Sequence, residues 1–385
     1  MLHIAEPPME IVKVSTKKEL RQFVEFPYQL YHSDPLWIPP LRSEQYAQFD
    51  PAKNPMLDHC HYALFLALKD GKNAGRISAF VDDLALEHWQ QKIGLFGSYE
   101  CIDDSEVSQT LLYFARDWLR ARGMTAMRGP WSFASQEWGL IVEGYSPPPV
   151  IMAPYNPPYY NDQLLNFGFI KAHDLLVYEI DVRKGYTFPE RFLKLTDAVR
   201  SRTGVTVRPI NMKNLASDVV TITRLANQSI CDNWGFYPVT ESEARAMSRD
   251  LKQVVNPAAC LIAETAQGRP IGFAMSLPDI NQILQGLHGR LLPFGIFKML
   301  TRLPRIKQYR MWALGVIPEY QGLAIDTLLY QATYDALFSP ELRMEINYVL
   351  EDNDRMNNAI RKMGAQSLRR LRVYEMDIQN GSRSS

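Results

Sequence analysis

The segment Val177-Tyr178-Glu179-Ile180-Asp181 recurs as Val373-Tyr374-Glu375-Met376-Asp377, and in each the tyrosine stands ten residues after a glycine, Gly168 or Gly364. A second pair lies upstream. Ala63-Leu64-Phe65-Leu66-Ala67, the turn Asp70-Gly71 and Gly75-Arg76-Ile77 read as two strands of a hairpin. Ala259-Cys260-Leu261-Ile262-Ala263, Gly268 and Ile271-Gly272-Phe273 read the same way. Ala67 precedes Tyr178 by 111 residues and Ala263 precedes Tyr374 by 111, so both pairs share one offset of 196. A period this long in a chain of 385 residues is a tandem duplication of a whole domain, not a solenoid of short repeats.

Local signals place similar elements in each half. The first opens on a strand at residues 11–14, followed by a helix capped by Thr16 with Glu19 three residues on. The hairpin comes next, then a strand at 93–102 and a helix at 105–122 with Val107, Leu111, Leu112, Ala115 and Leu119 on one face and Gly123 as its stop. A strand at 126–129, a proline-rich loop and the terminal strand close this half. The second half runs from a strand at 205–210 through helices between 215 and 255, the hairpin, a strand at 311–317, a helix at 325–338, a strand at 344–350, a helix at 354–363 and a strand at 371–378. Each half is therefore α/β (α+β) in class, a mixed, mostly antiparallel sheet flanked by helices. The domains are expected at 9–182 and 205–379, with 183–204 as a linker or a connecting helix packed on the first domain.

Lys+Arg and Asp+Glu both number 42, so the whole chain offers no basic footprint for nucleic acid. Cys60, Cys101, Cys231 and Cys260 form no C-x-x-C pair and read as reduced thiols. His59 and His61 alternate at a strand start without a third ligand in view, so no metal site is expected. Pro7 and Pro8, without an apolar core segment, do not read as a leader, and no apolar run is long enough to span a bilayer. The expected location is cytoplasmic; the oligomeric state is open.

The stretch from Leu314, Gly315 and Val316 through Pro318 to Gln321, Gly322, Leu323, Ala324, Ile325, Asp326 and Thr327 carries the chemistry. A strand ends at Pro318, a short turn follows, and a helix starts. Such a turn directs several backbone N–H groups and a helix N-terminus at one place, which favours a phosphate. Gln321 and Ala324 resemble the diphosphate loop of the GNAT acyltransferase superfamily, Arg/Gln-x-x-Gly/Ala-x-Gly/Ala; Asp326 departs from it. The resemblance implies acetyl-CoA or another acyl-CoA bound in the second domain, with Leu314, Gly315 and Val316 pairing the pantetheine arm and Asn353 touching it. It implies transfer to an amine of a small molecule or peptide. The family's usual acidic tyrosine falls on Ile360 here. The matching turn of the first half, Cys101-Ile102-Asp103-Asp104-Ser105-Glu106, carries three carboxylates that would repel a diphosphate, so that half is read as a degenerate copy.

Asp279, His288, Glu345, Tyr348 and Glu351 are the titratable candidates for moving the amine proton, with Glu351, Tyr348 and Asp279 foremost. Residues 280–310 form an insertion whose apolar members (Ile283, Leu284, Leu287, Leu291, Leu292, Phe294, Ile296, Phe297, Met299 and Leu300) are edged by Arg290, Lys298, Arg302, Arg305, Lys307 and Arg310. It reads as a helical hairpin packed between the halves and roofing the acceptor site; peripheral membrane contact is the alternative. Two other functions stand beside the enzyme: a non-catalytic acyl-CoA-binding or interaction protein, favoured by Asp326 and Ile360, and a carrier-dependent aminoacyl or lipid acyl transferase, disfavoured by the Gln321–Ala324 loop.

Overall fold

A computed structural model describes residues 9–133, 138–292 and 295–379, so Pro7, Pro8 and Phe294 lie outside the described residues. In chain order the elements of the first half are β1 (Glu10–Lys13), α1 (Lys17–Leu30), α2 (Arg42–Ala47), β2 (Cys60–Lys69), β3 (Lys72–Asp82), α3 (Asp83–Trp89), β4 (Ile93–Cys101), α4 (Ser105–Arg120), β5 (Ala126–Gly129), β6 (Leu140–Glu143), α5 (Tyr159–Phe167) and β7 (Ile170–Asp181). Those of the second are α6 (Glu190–Thr203), β8 (Thr206–Pro209), α7 (Leu215–Ser229), α8 (Glu241–Leu251), β9 (Cys260–Glu264), β10 (Pro270–Pro278), α9 (Asn281–Leu284), α10 (Gly295–Arg302), β11 (Gln308–Val316), α11 (Ile325–Leu337), β12 (Arg343–Leu350), α12 (Asp354–Lys362) and β13 (Gln366–Asp377).

Local chemistry sets these boundaries. Thr16 and Glu19 form a reciprocal capping box at α1, as their spacing predicts, and Thr240 with Glu243 repeats it at α8. Asp70 and Gly71 both adopt positive φ, 57° and 70°, the turn that a two-residue hairpin needs between Lys69 and Lys72.

The two compact units are not consecutive stretches of chain. One holds the described residues up to Asp174, with His288–Arg290 and the chain from Arg370 on; the other holds Leu175–Leu287 and Leu291–Arg369. In the first unit strands run in the order β1-β2-β3-β4-β5 and are joined by the last part of β13, where Tyr374 faces Gly129 and Asp377 faces Ala126; β6 also pairs β13. In the second, β8-β9-β10-β11-β12 are joined by the last part of β7, where Arg343 faces Asp181 and Ile346 faces Tyr178. The repeated terminal strands are thus exchanged. Tyr374 and Ile378 enter the first unit's core with Tyr160 and Leu164, while Tyr178 and Ile180 enter the second's with Met344 and Ile360. A fully buried isoleucine contributes about 1.5–3 kcal/mol relative to an exposed one, so each exchanged strand is held by its side chains as well as its ladder.

The segment joining the halves is helical, but α6 packs on α11 and places Phe192 in the second unit's core rather than on the first domain. The insertion differs more. Its first part packs, with Ile283, Leu284 and Leu287 buried, but of α10 only Gly295 is buried, and Leu292, Ile296, Phe297 and Leu300 are exposed. No helix among the described residues is long and apolar enough to cross a membrane.

Candidate functional site

β11 pairs antiparallel with β10 along its length, from Tyr309↔Pro278 to Val316↔Gly272. Its parallel pairing with β12 is shorter, running from Gln308↔Arg343 and ending at Met311↔Ile346. Beyond that point β11 continues to Val316 and β12 to Leu350 without pairing each other, so the two strands part. A bulge lies at the parting: the register steps from Ala313↔Met275 to Met311↔Ser276, with Trp312 as the additional residue. Bulges bend a strand and end its pairing on one side. Gly315 is required here, because a Cβ would stand 2.2 Å from Ser229 Oγ and 2.9 Å from Phe273 Cε1.

The parted end of β11 leads into the turn. Pro318–Tyr320 forms one tight helical turn, and Gln321 Nε2 donates to the carbonyl of Val316 at 3.0 Å. Gly322 and Ala324 both take left-handed φ, 81° and 60°. A non-glycine residue in that region costs roughly 1–2 kcal/mol, strain of the kind that persists where backbone amides must converge. The amides of Gly322, Leu323, Ala324 and Ile325 donate no hydrogen bond among the described residues, while Thr327 closes the first turn of α11 by donating from N and Oγ1 to the carbonyl of Ala324, at 3.1 and 2.7 Å. Arg269 pairs with Glu319 at 2.7 Å, fastening the turn to the β9–β10 hairpin, and Arg202 of α6 donates to the carbonyl of Leu323 at 3.2 Å. These two arginines lie 50 and 121 residues before their partners in the turn, so no local pattern signals them.

Asp326 sits within this turn. It is half-buried, and burial pushes its pKa above the usual carboxylate range despite the opposing charge of Arg355. Asn353 caps α12, its Oδ1 accepting from the Met356 amide at 3.1 Å, so only its Nδ2 is left to reach a ligand.

The overall fold recurs in solved structures. A tandem GNAT protein from the clavulanic acid biosynthesis pathway aligns over 97% of this chain and 100% of its own with a TM-score of 0.60 at 12% identity. An N-acetyltransferase of the same superfamily from Sphaerobacter thermophilus aligns over 98% of each chain with a TM-score of 0.52 at 10% identity. The chain has the fold of the GNAT acyltransferases. Among curated proteins it is 36% identical over 370 residues to Protein YghO of Escherichia coli, covering 94% of each chain. It is 34% identical over 376 residues to a bacterial ceramide synthase of Caulobacter vibrioides, covering 95% of this chain and 97% of that one. It belongs with both in one family. No family model matches the chain.

The other sequence-derived candidates fall in different places on this GNAT frame. Tyr348 lies on the parted part of β12, half-buried, with the Arg310 guanidinium 5.0 Å from its ring centre. Glu351 follows directly and is half-buried. Asp279 is buried and accepts from the Asn281 amide at 3.3 Å, a turn-capping role at the start of α9. His288 is exposed and belongs to the first unit, where its carbonyl accepts from Arg42 Nη1 at 2.6 Å. Glu345 is fully buried one residue before the last β11–β12 pair, between Arg310 on β11 and Glu179 on β7, and accepts from Arg343 Nη2 at 3.1 Å. Burial raises its pKa, against the pull of Arg369, Arg343 and Arg310. Ile360, where the sequence resemblance leads one to expect a tyrosine, is buried in the core.

The first GNAT copy treats its own turn differently. β4 and β5 pair only from Ile93↔Ala126 to Leu95↔Arg128, but the space beyond is used: the Trp131 amide donates to Phe96 O at 2.8 Å and the Trp131 ring is buried. The Cys101 amide donates to the Tyr160 hydroxyl at 2.9 Å, and the Tyr159 hydroxyl donates to the Cys101 carbonyl at 2.8 Å. Asp104 caps α4 through the Glu106 and Val107 amides and pairs with Lys69 at 2.6 Å. That helix start is filled by its own carboxylate.

His59 Nδ1, Cys60 Sγ and Asp82 Oδ2 or Oδ1 cluster within 4.8 Å, so a third group does stand beside His59, whereas His61 is exposed and meets Asp83. Asp82 Oδ1 lies 3.0 Å from His59 Nδ1 and accepts from the Leu84 and Ala85 amides, and the set serves as the cap of α3. All four cysteines are free, and burial pushes the thiols of Cys101 and Cys260 up to about 12, outside the range of reactive thiolates.

Proposed function

We propose that the protein is an acyl-CoA-dependent N-acyltransferase whose second unit holds CoA and whose acceptor is the amine of a long-chain amino alcohol. The observation that carries the first part is the parting of β11 from β12 directly above a turn with four unbonded amides. Leu314, Gly315 and Val316 would pair the pantetheine arm through their backbone, and Gly322, Leu323, Ala324 and Ile325 would bind the diphosphate, with Asn353 Nδ2 beside the arm. No Cβ-sized obstacle stands at Gly322, which fits close approach of a phosphate. Gln321 would act by fixing the turn, since its Nε2 is engaged with Val316.

Bound acyl-CoA supplies a thioester carbonyl that a neutral amine attacks, forming an amide and releasing CoA as the thiol. The chain's contribution is to align the two reactants in one cleft and to polarise the carbonyl with backbone amides of the parted strand. With Ile360 buried in place of a tyrosine, protons would move through Tyr348 or Glu351, or through water. The acceptor class rests on the 34% identity, over nearly the whole chain, to a protein named ceramide synthase. A ceramide is the N-acyl amide of a long-chain amino alcohol. That relative favours a long acyl group, where the superfamily resemblance alone suggests acetyl.

Thermal melting with acetyl-, octanoyl- and palmitoyl-CoA tests the first part, since a bound ligand raises the melting temperature by mass action. A rise with at least one of them, lost in Gly322→Glu, is expected; no rise with any of them removes the reading. Thiol release with sphinganine as acceptor then tests the second part. A rise without thiol release across an amine panel would favour the non-catalytic acyl-CoA-binding reading that Ile360 supports.

A further inference from the structure

The second unit carries an apolar surface that its own fold leaves uncovered. Leu292, Ile296, Phe297 and Leu300 are 71%, 41%, 68% and 69% exposed. On α10, Ile296, Phe297 and Leu300 fall on one arc of about 100°, while Lys298 and Arg302 fall on the other side; Leu292 precedes the helix in sequence. Clusters of large exposed apolar side chains on one short helix mark an interaction surface rather than scattered surface residues.

Charge indicates the partner. From Leu291 to Lys307 the chain has four cations, Lys298, Arg302, Arg305 and Lys307, and no acidic residue. None of the four is in an ion pair among the described residues. Arg305 and Lys307 also line a cleft of about 330 Å³ with Arg183 and Arg343, where Glu341 is the acid. Arg183 and Arg343 are held by Asp181 and Glu179, so the cations left to meet a partner are those of the insertion.

We propose that α10 and the residues flanking it dock the protein on an anionic phospholipid bilayer, with Leu292, Phe297 and Leu300 entering the headgroup–acyl boundary and Lys298, Arg302, Arg305 and Lys307 meeting lipid phosphates. A protein partner would need acidic groups to match these cations at fixed positions; a bilayer offers negative charge everywhere along its surface and takes apolar side chains without shape matching. This inference goes beyond the acyl-transfer reading and does not depend on the acceptor.

The test is co-sedimentation of the full chain with vesicles of phosphatidylglycerol and phosphatidylethanolamine, and with vesicles of phosphatidylcholine alone. Binding to the anionic vesicles, weakened at least tenfold in Phe297→Glu/Leu300→Glu and weakened by added salt in the wild type, is expected. Both side chains are exposed, so the melting temperature should not change and a folding defect is distinguishable. Lys298→Ala/Arg302→Ala/Arg305→Ala should retain little anionic preference. Absence of binding to anionic vesicles overturns the proposal. So does equal binding by the Phe297→Glu/Leu300→Glu variant. So does wild-type self-association that this variant abolishes without any vesicle binding, which would assign the surface to a second copy of the chain.

Discussion

The hydroxyl of Tyr178 donates to Asn357 Oδ1 at 2.9 Å, joining residues 179 apart in sequence inside the second unit. Tyr374 donates to Asn161 Oδ1 at 2.8 Å inside the first. The two asparagines stand at the same offset of 196 as the two tyrosines. Each also donates through Nδ2 to the strand before it, Asn357 to Leu350 O and Asn161 to Ile141 O, both at 2.9 Å. One buried hydrogen bond per unit therefore ties each exchanged strand to a helix from the other half of the chain.

Tyr178→Phe leaves Asn357 Oδ1 buried without its donor and should cost about 1–3 kcal/mol of stability. Tyr374→Phe should cost a similar amount for the same reason. Urea unfolding checks both. Because Tyr374 belongs to the first unit, its variant should leave acyl-CoA affinity unchanged below its melting range.

Asp326 predicts a pH dependence. Its folded pKa is raised, so the native state holds the proton more tightly than the unfolded chain does, and the penalty of ionising it appears as pH rises from the ordinary carboxylate range through the raised value. The melting temperature of Asp326→Asn relative to wild type should therefore climb across that window and level off above it. Above the window the variant should also bind acyl-CoA more tightly by about fivefold, the removal of about 1 kcal/mol of repulsion from a diphosphate. Titration calorimetry at two pH values reads this, and equal affinity for both proteins would place the diphosphate elsewhere.

Gly315 and Gly322 should respond differently to alanine. At Gly315 the new Cβ meets Ser229 and Phe273 inside 3 Å, an overpacking cost of about 1–3 kcal/mol. At Gly322 the space is open and only the positive φ is penalised, roughly 1 kcal/mol. Denaturant midpoints should rank wild type above Gly322→Ala and both above Gly315→Ala.

Glu345 lies among Arg310 and Arg369, both buried, and Arg343, which is half-buried. Glu345→Gln keeps the shape but removes the carboxylate that faces them, and breaking such a buried set costs about 3–5 kcal/mol. A loss of stability of that size, with acyl-CoA still bound by the folded fraction, is expected from equilibrium unfolding and a thermal shift assay. A stable variant with transfer abolished would instead make Glu345 a catalytic group.

The amino-acid sequence by itself determined the duplication, the longer strands and helices and the turn at Gln321–Ala324, because these depend on signals a few residues long, but it read β6 and α5 as a proline-rich loop and missed α2 and α3. The Thr16–Glu19 box, the Asp70-Gly71 turn and the periodicity of α4 each act within one or two turns of chain. It did not determine which half each terminal strand completes. Val177-Tyr178-Glu179 and Val373-Tyr374-Glu375 offer the same side chains, and Asn161 and Asn357 offer the same acceptor, so either pairing satisfies the local chemistry. Only the tertiary structure chose between them. The same holds for α10, whose apolar stripe is equally suited to a core or to a surface, and for the filled turn of the first half. There Tyr159, Tyr160 and Trp131 reach the end of β4 or its edge from positions no local pattern connects to it.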